Sequence, residues 1–480
     1  MPERPSSHPA DAPGVGASSG PQGGGGRRGT DGGLARVLGG FDVTMLVMGS
    51  VIGAGVFNTP QGIAGAMGSL WGVLAVWTFG GVIALTGALV FAELGGMMPR
   101  SGGEYVFVRA GAGRFAAFLF GWISLTAIVS SAIAFVAQVF VEHLYKVLSY
   151  ASIAPPDDDV SRKLIAIGLI ATLCLVNARG VRLGANVQNV AMLAKLIGIA
   201  TVVGLALAAW AGWIEAAAPL PAPAGRAEWS WNGVGAALFG ILFTYGGWQN
   251  VASVASEIKN PGRNLPLGTL AGTAAVVALY LALNLGLVSV LGVDGVAATR
   301  TPVASAAGAL VGWGEPLVAA LVMLSTFGVT QAMLMLAPRI YFAMAQDGVF
   351  LPLFARVHPR WGTPAAAIGL QGAFAVAHVF VAARISDLLE VCSICDWVFF
   401  SVCGVTLFVL RRKAPNAPRP YRAWGYPVLP AVFVLASVAS LVRMAFSAEL
   451  APLLQAAGLF AIGAVLYAVW RRPAPAAGLE

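Results

Sequence analysis

The feature that most constrains this chain is its run of charge-free apolar stretches long enough to cross a bilayer. Phe115–Phe140, Thr269–Val293 and Gly362–Ala383 contain no Asp, Glu, Lys or Arg. A bilayer core takes about 20 helical residues, and more such stretches follow along the chain with short polar connections. Composition closes the argument. Only 10% of the 480 residues are charged, against about 25% in a soluble domain, too few to clothe a water-facing surface. The fold class is therefore an all-α membrane protein.

Apolar length and turn signals predict twelve transmembrane helices. They are Asp42–Met67, Leu70–Met97, Phe115–Leu148, Lys163–Asn177, Val187–Gly212 and Trp231–Ser256 in the first half. Pro266–Gly292, Ser305–Ala345, Gly362–Ala383, Ile385–Leu410, Tyr426–Phe446 and Ala451–Arg471 follow. Residues 1–38 are rich in Gly, Pro and Ser, without the apolar core of a signal peptide, and read as a disordered tail. The net charge of +8 reports orientation rather than a nucleic-acid partner. The large majority of the 29 Lys and Arg residues fall on the side that holds both termini, so the positive-inside rule expects both in the cytoplasm of a plasma-membrane protein. Cys174, Cys392, Cys395 and Cys403 all lie in apolar segments. The Cys392–Cys395 pair lacks the further ligands of a zinc site, so neither a disulfide framework nor a metal is expected.

Two spans carry paired glycines. The first contains Gly53-Ala54-Gly55 followed by Val56 and Phe57; the sixth contains Phe243-Thr244-Tyr245-Gly246-Gly247-Trp248. Glycine lets backbone leave helical geometry at little steric cost, and unwound peptide at membrane depth is tolerated only where it is buried in protein or lines a cavity. A half-helix beginning near Val56 would point its positive end at a carboxylate; a half-helix ending before Gly246 would offer carbonyls to an ammonium. Close helix packing explains either pair alone. Five spans separate the two, as inverted repeats require, and that spacing favours a site for a zwitterion.

Val51–Pro60 (VIGAGVFNTP) resembles the first-helix signature of the amino acid–polyamine–organocation transporters. Met97–Trp122 is similar to their loop after the second helix, and Phe243–Pro266 to the sixth helix of the L-type amino acid transporter branch and its bacterial relatives. Ser325-Thr326-Phe327-Gly328, Pro338-Arg339 and Gln346-Asp347-Gly348 also fit. The resemblance covers Asp42 to about Pro364 in order. It implies the leucine-transporter fold, a ten-helix inverted-repeat core (39–410) with discontinuous first and sixth helices, plus two peripheral helices and a short cytoplasmic C-terminus (411–480). It also implies that amides near Ala54, Gly55 and Val56 hold substrate carboxylate. Carbonyls near Val51, Ile52, Phe243, Thr244 and Gly246 hold the amine, and the Phe243 ring is the outer gate. Ala54 stands where many L-type members have Ser, and Gln249 where Asn is commoner.

Lys195 lies inside the fifth span, where a lysine costs roughly 2.5–3.5 kcal/mol on insertion scales. Two readings are open: its side chain snorkels to the interface, or its ammonium faces the first-helix break with Ser325 and Thr326, where sodium-coupled relatives of the fold hold a sodium ion. Other marked residues take plainer readings. Arg100 and Glu104, four apart, read as a surface helical pair, although their SGGEY context hints at a gate. Glu257, Lys259 and Arg263 are either gate ion pairs or a solvated helix end. Glu142 and His143 read as interfacial, and the lone His378 as packed. No nucleotide loop or HExxH motif is present, so an enzyme is not expected.

The sequence thus points to a sodium-independent secondary carrier for neutral L-amino acids, working by alternating access as exchanger or proton symporter. A carrier of cationic amino acids or polyamines ranks lower, because no carboxylate is visible beside either break. A membrane sensor that binds an amino acid without moving it is the third reading. The expected partners are the substrate and the bilayer. No cofactor and no obligatory protein partner are expected, since no cysteine lies in an outer loop to tether one.

Overall fold

The computed structural model describes residues 34–214, 231–381, 385–447 and 450–470. Most of the expected tail, the basic pair Arg27 and Arg28 included, lies outside the described residues, as does the end of the chain from Arg471. Leu34–Leu38, which the sequence assigned to the tail, is packed. Leu34 and Leu38 are buried; the amides of Val37 and Leu38 donate to the Glu257 carbonyl, and the Lys259 amide donates to the Leu38 carbonyl at 2.8 Å. Residues 34–38 are thus not part of a disordered tail, because apolar side chains there find a protein surface to cover.

Apart from that isolated bridge between Leu38 and Ile258, the regular structure of the described residues is helical. The helices are α1 (Gly40–Val51), α2 (Gly55–Met67), α3 (Leu70–Met97), α4 (Glu104–Ile123), α5 (Val129–Tyr150), α6 (Asp159–Arg179), α7 (Val181–Trp210) and α8 (Trp231–Thr244). They continue with α9 (Pro261–Ala298), α10 (Pro302–Leu310), α11 (Gly314–Leu336), α12 (Pro338–Gln346), α13 (Ala365–Val381), α14 (Ile385–Lys413), α15 (Val428–Ser447) and α16 (Leu450–Trp470). A π-turn at Ser124–Ile128 joins α4 to α5, and a 3₁₀ stretch, Trp248–Glu257, follows α8.

Among the described residues, eight helical stretches are long and apolar enough to cross a membrane, or nine when α1 and α2, bent by 50°, count as one span. Of the twelve expected, the fourth, sixth and ninth fall short of that measure. The sixth is cut at Gly246 and Gly247, so α8 has only 14 residues. The ninth, α13, has 17, and α6 carries Asp159, Arg162 and Lys163 in its opening turns. Two other boundaries differ from expectation. Helix begins at Glu104, well before Phe115, and is broken at Gly113, whose φ of 88° only glycine adopts freely. The overlong eighth segment is three helices, α10, α11 and α12, with the last break at Pro338, which supplies no amide to the turn before it.

Packing follows small residues. A Cβ on Gly268 or Gly272 of α9 would collide with Val43 or Val47 of α1, so glycine lets these backbones approach closely. Helix α3 packs on α9, α5 on α11 and α6 on α13; α1 and α2 lie against α9, α8 against α3, α7 against α11, and α14 against α4. Helices α15 and α16 attach outside, against α14, α3 and α4.

The end of the bundle where α1 begins is closed by buried polar contacts. Arg339 Nε donates to Glu257 Oε1 at 2.8 Å, with both side chains fully buried. Glu257 therefore pairs with α12, not with its chain neighbours Lys259 and Arg263. Glu93 of α3 accepts from Arg411 and from the Ala423 amide, and Asp347 accepts from Arg109 at 2.6 Å and Tyr105 at 2.8 Å. Breaking a buried pair by removing one partner strands a charge, which costs about 3–5 kcal/mol. Arg339→Ala is therefore expected to lower the thermal midpoint of the detergent-solubilised protein sharply. The paired change Glu257→Leu with Arg339→Met should recover most of it. Fluorescence-detected unfolding checks both.

Candidate functional site

Helix α1 ends at Val51, and the chain leaves helical geometry through Ile52 (ψ 87°) before α2 starts at Gly55. The Ile52 amide still donates to Met48, and the Gly53 amide folds back on the Val51 carbonyl at 2.9 Å. The first amides of α2, at Gly55 and Val56, have no helical carbonyl one turn behind them; Phe57 bonds to Ala54. On the other side, α8 stops at Thr244. The Gly246 amide turns back to the Phe243 carbonyl at 3.0 Å, and Gly247 (φ 118°) opens the 3₁₀ stretch.

The two breaks touch. A Cβ on Gly247 would sit 2.5 Å from the Ser50 carbonyl oxygen and 3.1 Å from the Val51 nitrogen, and one on Gly55 would press the Thr244 hydroxyl. At Gly247 glycine is required because backbone meets backbone. Thr244 and Thr59 share a hydroxyl hydrogen bond of 2.9 Å between α8 and α2. Tyr280 of α9 spans both breaks, donating to the Val51 carbonyl at 3.2 Å with Thr244 O at 3.5 Å.

Lys195 does not reach toward a membrane surface. It is fully buried, and its ammonium donates to the Ile52 carbonyl at 2.7 Å, with the Ser325 carbonyl at 3.5 Å. The Ser325 hydroxyl donates to the same Ile52 oxygen at 2.9 Å. A carbonyl has two acceptor positions, and both at Ile52 are taken. Ile52 therefore belongs with Lys195 and Ser325 rather than with the carbonyls expected to meet an amine. Thr326 is not part of this knot: its hydroxyl bonds back to Val322 and Met323 in its own helix. Two turns before Lys195, Gln188 is buried with neither amide atom partnered among the described residues, and a Cβ on Gly49 would run into it.

Of the other residues singled out, Phe243 is 52% exposed, and its carbonyl is held by the Gly246 turn. Glu104 is not half of a surface pair: Arg100 is exposed and precedes the helix, whereas Glu104 is buried at the start of α4. Its SGG neighbours lock onto the 3₁₀ stretch, with Gly102 N donating to Ser253 O at 3.0 Å and Ser101 sharing a hydrogen bond with Ser256. Glu142 pairs with Lys146, and His378 meets the Phe374 carbonyl of its own helix. Cys392 and Cys395 are free, and no His, Cys, Asp and Glu cluster able to hold a metal occurs among the described residues. A small cavity of about 20 Å³ lies behind the sixth-helix break, lined by Tyr245, Gly246, Trp248, Trp397, Phe400 and Phe433. The sequence reading missed Tyr280 and this aromatic wall. A lone tyrosine in a charge-free span was the available signal for the first; nothing short of tertiary packing gathers the second.

A family model described as amino acid permease matches residues 38–466. The chain belongs to the amino acid permease family. Permease relatives cover most of its length. The serine/threonine exchanger SteT of Bacillus subtilis is 29% identical over 442 residues, covering 89% of this chain and 96% of its own. The human b(0,+)-type amino acid transporter 1 is 29% identical over 414 residues, 84% of this chain and 82% of its own. The mouse large neutral amino acids transporter small subunit 2 is 28% identical over 393 residues, 81% and 73% respectively. This permease is thus a multi-pass membrane protein of a transporter family, not an enzyme family.

Tyr280→Phe removes a hydroxyl that bridges the two breaks. Leaving buried acceptors unmet costs about 1–3 kcal/mol, so this variant should unfold at lower temperature than wild type and transport more slowly. Unfolding scans and initial uptake rates measured on the same preparation check the pair of effects.

Proposed function

We propose that this permease is a sodium-independent exchanger of neutral L-amino acids that works by alternating access. The observation that carries the reading is the direct meeting of the two unwound segments, Gly247 against Ser50 and Val51. Substrate carboxylate would sit on the amides that open α2 at Ala54, Gly55 and Val56, where the helix terminus is positive. The Val51 carbonyl already accepts from the Gly53 amide and the Tyr280 hydroxyl, so the substrate amine would take acceptors left near Thr244 and Gly246, and the half-exposed Phe243 ring would close over it. Serine, threonine and large neutral amino acids, which the relatives' names specify, set the panel of substrates to try.

The architecture we assign is the leucine-transporter fold of twelve spans, with core 39–410, peripheral segment 411–480 and both termini cytoplasmic in the plasma membrane. Its support is a symmetry in the packing. Exchanging the first five spans for the next five turns α3 on α9, α5 on α11 and α6 on α13 into themselves. The same exchange turns α7 against α11 into α14 against α4, and α6 against α11 into α13 against α5; every one of these contacts is present. Sodium independence is supported by Lys195, whose ammonium occupies the Ile52 carbonyl together with Ser325. A second cation there would meet like charge. The Glu257–Arg339 pair and the Leu38 bridge close one end of the bundle and must part when that end opens.

Proteoliposomes loaded with unlabelled serine or leucine should take up the labelled amino acid, and empty ones should not. Replacing sodium by choline should leave the rate unchanged. Uptake that needs sodium, or that ignores internal substrate, would falsify exchange of this kind. Lys195→Ala should lose at least about tenfold in uptake, the effect of 1.4 kcal/mol, while its elution profile stays that of a folded protein.

A further inference from the structure

Helix α7 carries a second buried polar side chain that the function above leaves unused. Gln188 lies seven residues before Lys195 on the same helix face, about 10 Å of rise. It is fully buried, and neither Nε2 nor Oε1 meets a hydrogen-bond partner among the described residues. Two glycines make room for its amide. On α1, a Cβ on Gly49 would collide with Nε2. On α11, a Cβ on Gly328 would lie 3.8 Å from Oε1 and 3.6 Å from Lys195 Nζ. The acceptor and the ammonium thus flank one bare glycine.

Lys195 has donors to spare. Its ammonium carries three N–H groups; one takes the Ile52 carbonyl at 2.7 Å, and the Ser325 carbonyl stands at 3.5 Å. Ile52 follows the last residue of α1, and Leu38, two residues before α1, is bridged to Ile258 at the closed end of the bundle. Opening that end frees the start of α1, and α1 then draws the Ile52 carbonyl away from α7. The ammonium would be left in an apolar interior, where an unpaired charge is costly. Gln188 answers that need, because it shares α7 with Lys195 and stays in reach wherever α1 goes. An unmet amide is destabilising in the closed state, and a group kept at that cost points to a partner met in another state.

We propose that Gln188 is the second seat of the Lys195 ammonium: Oε1 accepts from Nζ across Gly328 when the Ile52 carbonyl withdraws. The proposal rests on the transport reading above and deepens it, adding a positioning residue that acts through Lys195 and does not touch substrate. Glycine at position 328 leaves the passage between the two seats clear.

The test uses the purified full chain in proteoliposomes, with labelled leucine exchanged against internal leucine. Gln188→Met keeps the length of the side chain and removes the acceptor. Its turnover should fall about tenfold, the scale of one lost hydrogen bond to a charged group, with KM within about twofold of wild type. Its thermal midpoint in detergent should equal or exceed that of wild type, because no amide is left unmet. Gly328→Ala puts a methyl group at ordinary contact distance from both groups, so it should fold as wild type does and turn over more slowly. Both changes touch one step, so the double variant should be no slower than the slower single one. Gln188→Met exchanging at wild-type turnover would overturn the proposal, and so would Gly328→Ala doing the same. A turnover loss matched by a lower midpoint in Gln188→Met would also overturn it, since that marks a merely structural amide. Wild-type protein that exchanges no amino acid would instead sink the transport reading itself.

Discussion

A carbonyl oxygen freed from helix in the middle of an apolar bundle, and the lysine ammonium that meets it, hold the centre of this structure together. Neither tolerates isolation. An unmet peptide carbonyl at that depth costs several kcal/mol, and an unpaired lysine is costly there as well. At 2.7 Å from one another, Ile52 O and Lys195 Nζ relieve both penalties, and the Ser325 hydroxyl fills the remaining acceptor position. This knot ties the end of α1 to α7 and α11, so the break in the first span is tied to helices from both halves of the chain.

Around that point the second break is placed by contact rather than by charge. Gly247 can lie against Ser50 and Val51 only because it has no side chain and adopts a positive φ. Tyr280 then bridges the two segments with one hydroxyl. The amides opening α2 remain without helical partners, while most carbonyls near them are already occupied. The site therefore offers donors more freely than acceptors, which suits the carboxylate end of a zwitterion first. Buried ion pairs and the Leu34–Leu38 segment close the opposite end of the bundle. Such pairs contribute little net stability, but they give the closed end a definite geometry.

Much of this was legible in the residues. The charge-poor spans, the glycine breaks and the membrane-embedded Lys195 all announce themselves, because a bilayer penalises each so heavily that its presence demands a reason. The errors share a cause too. Glu104 and Arg100 look like a surface pair because four-residue spacing implies helix, yet the chain there is an SGG turn threaded against the 3₁₀ stretch. Glu257 sits among basic neighbours in sequence but finds Arg339, far along the chain.

The sequence by itself determined that this is a helical membrane protein with two interruptible spans and a costly lysine, since hydropathy and backbone freedom are local properties. Tertiary structure alone decided which polar group answers which: Lys195 to Ile52, Glu257 to Arg339, and Tyr280 to both breaks. Those pairings join residues distant in the chain, and only the packing of helices, through contacts of a few ångströms, selects among them.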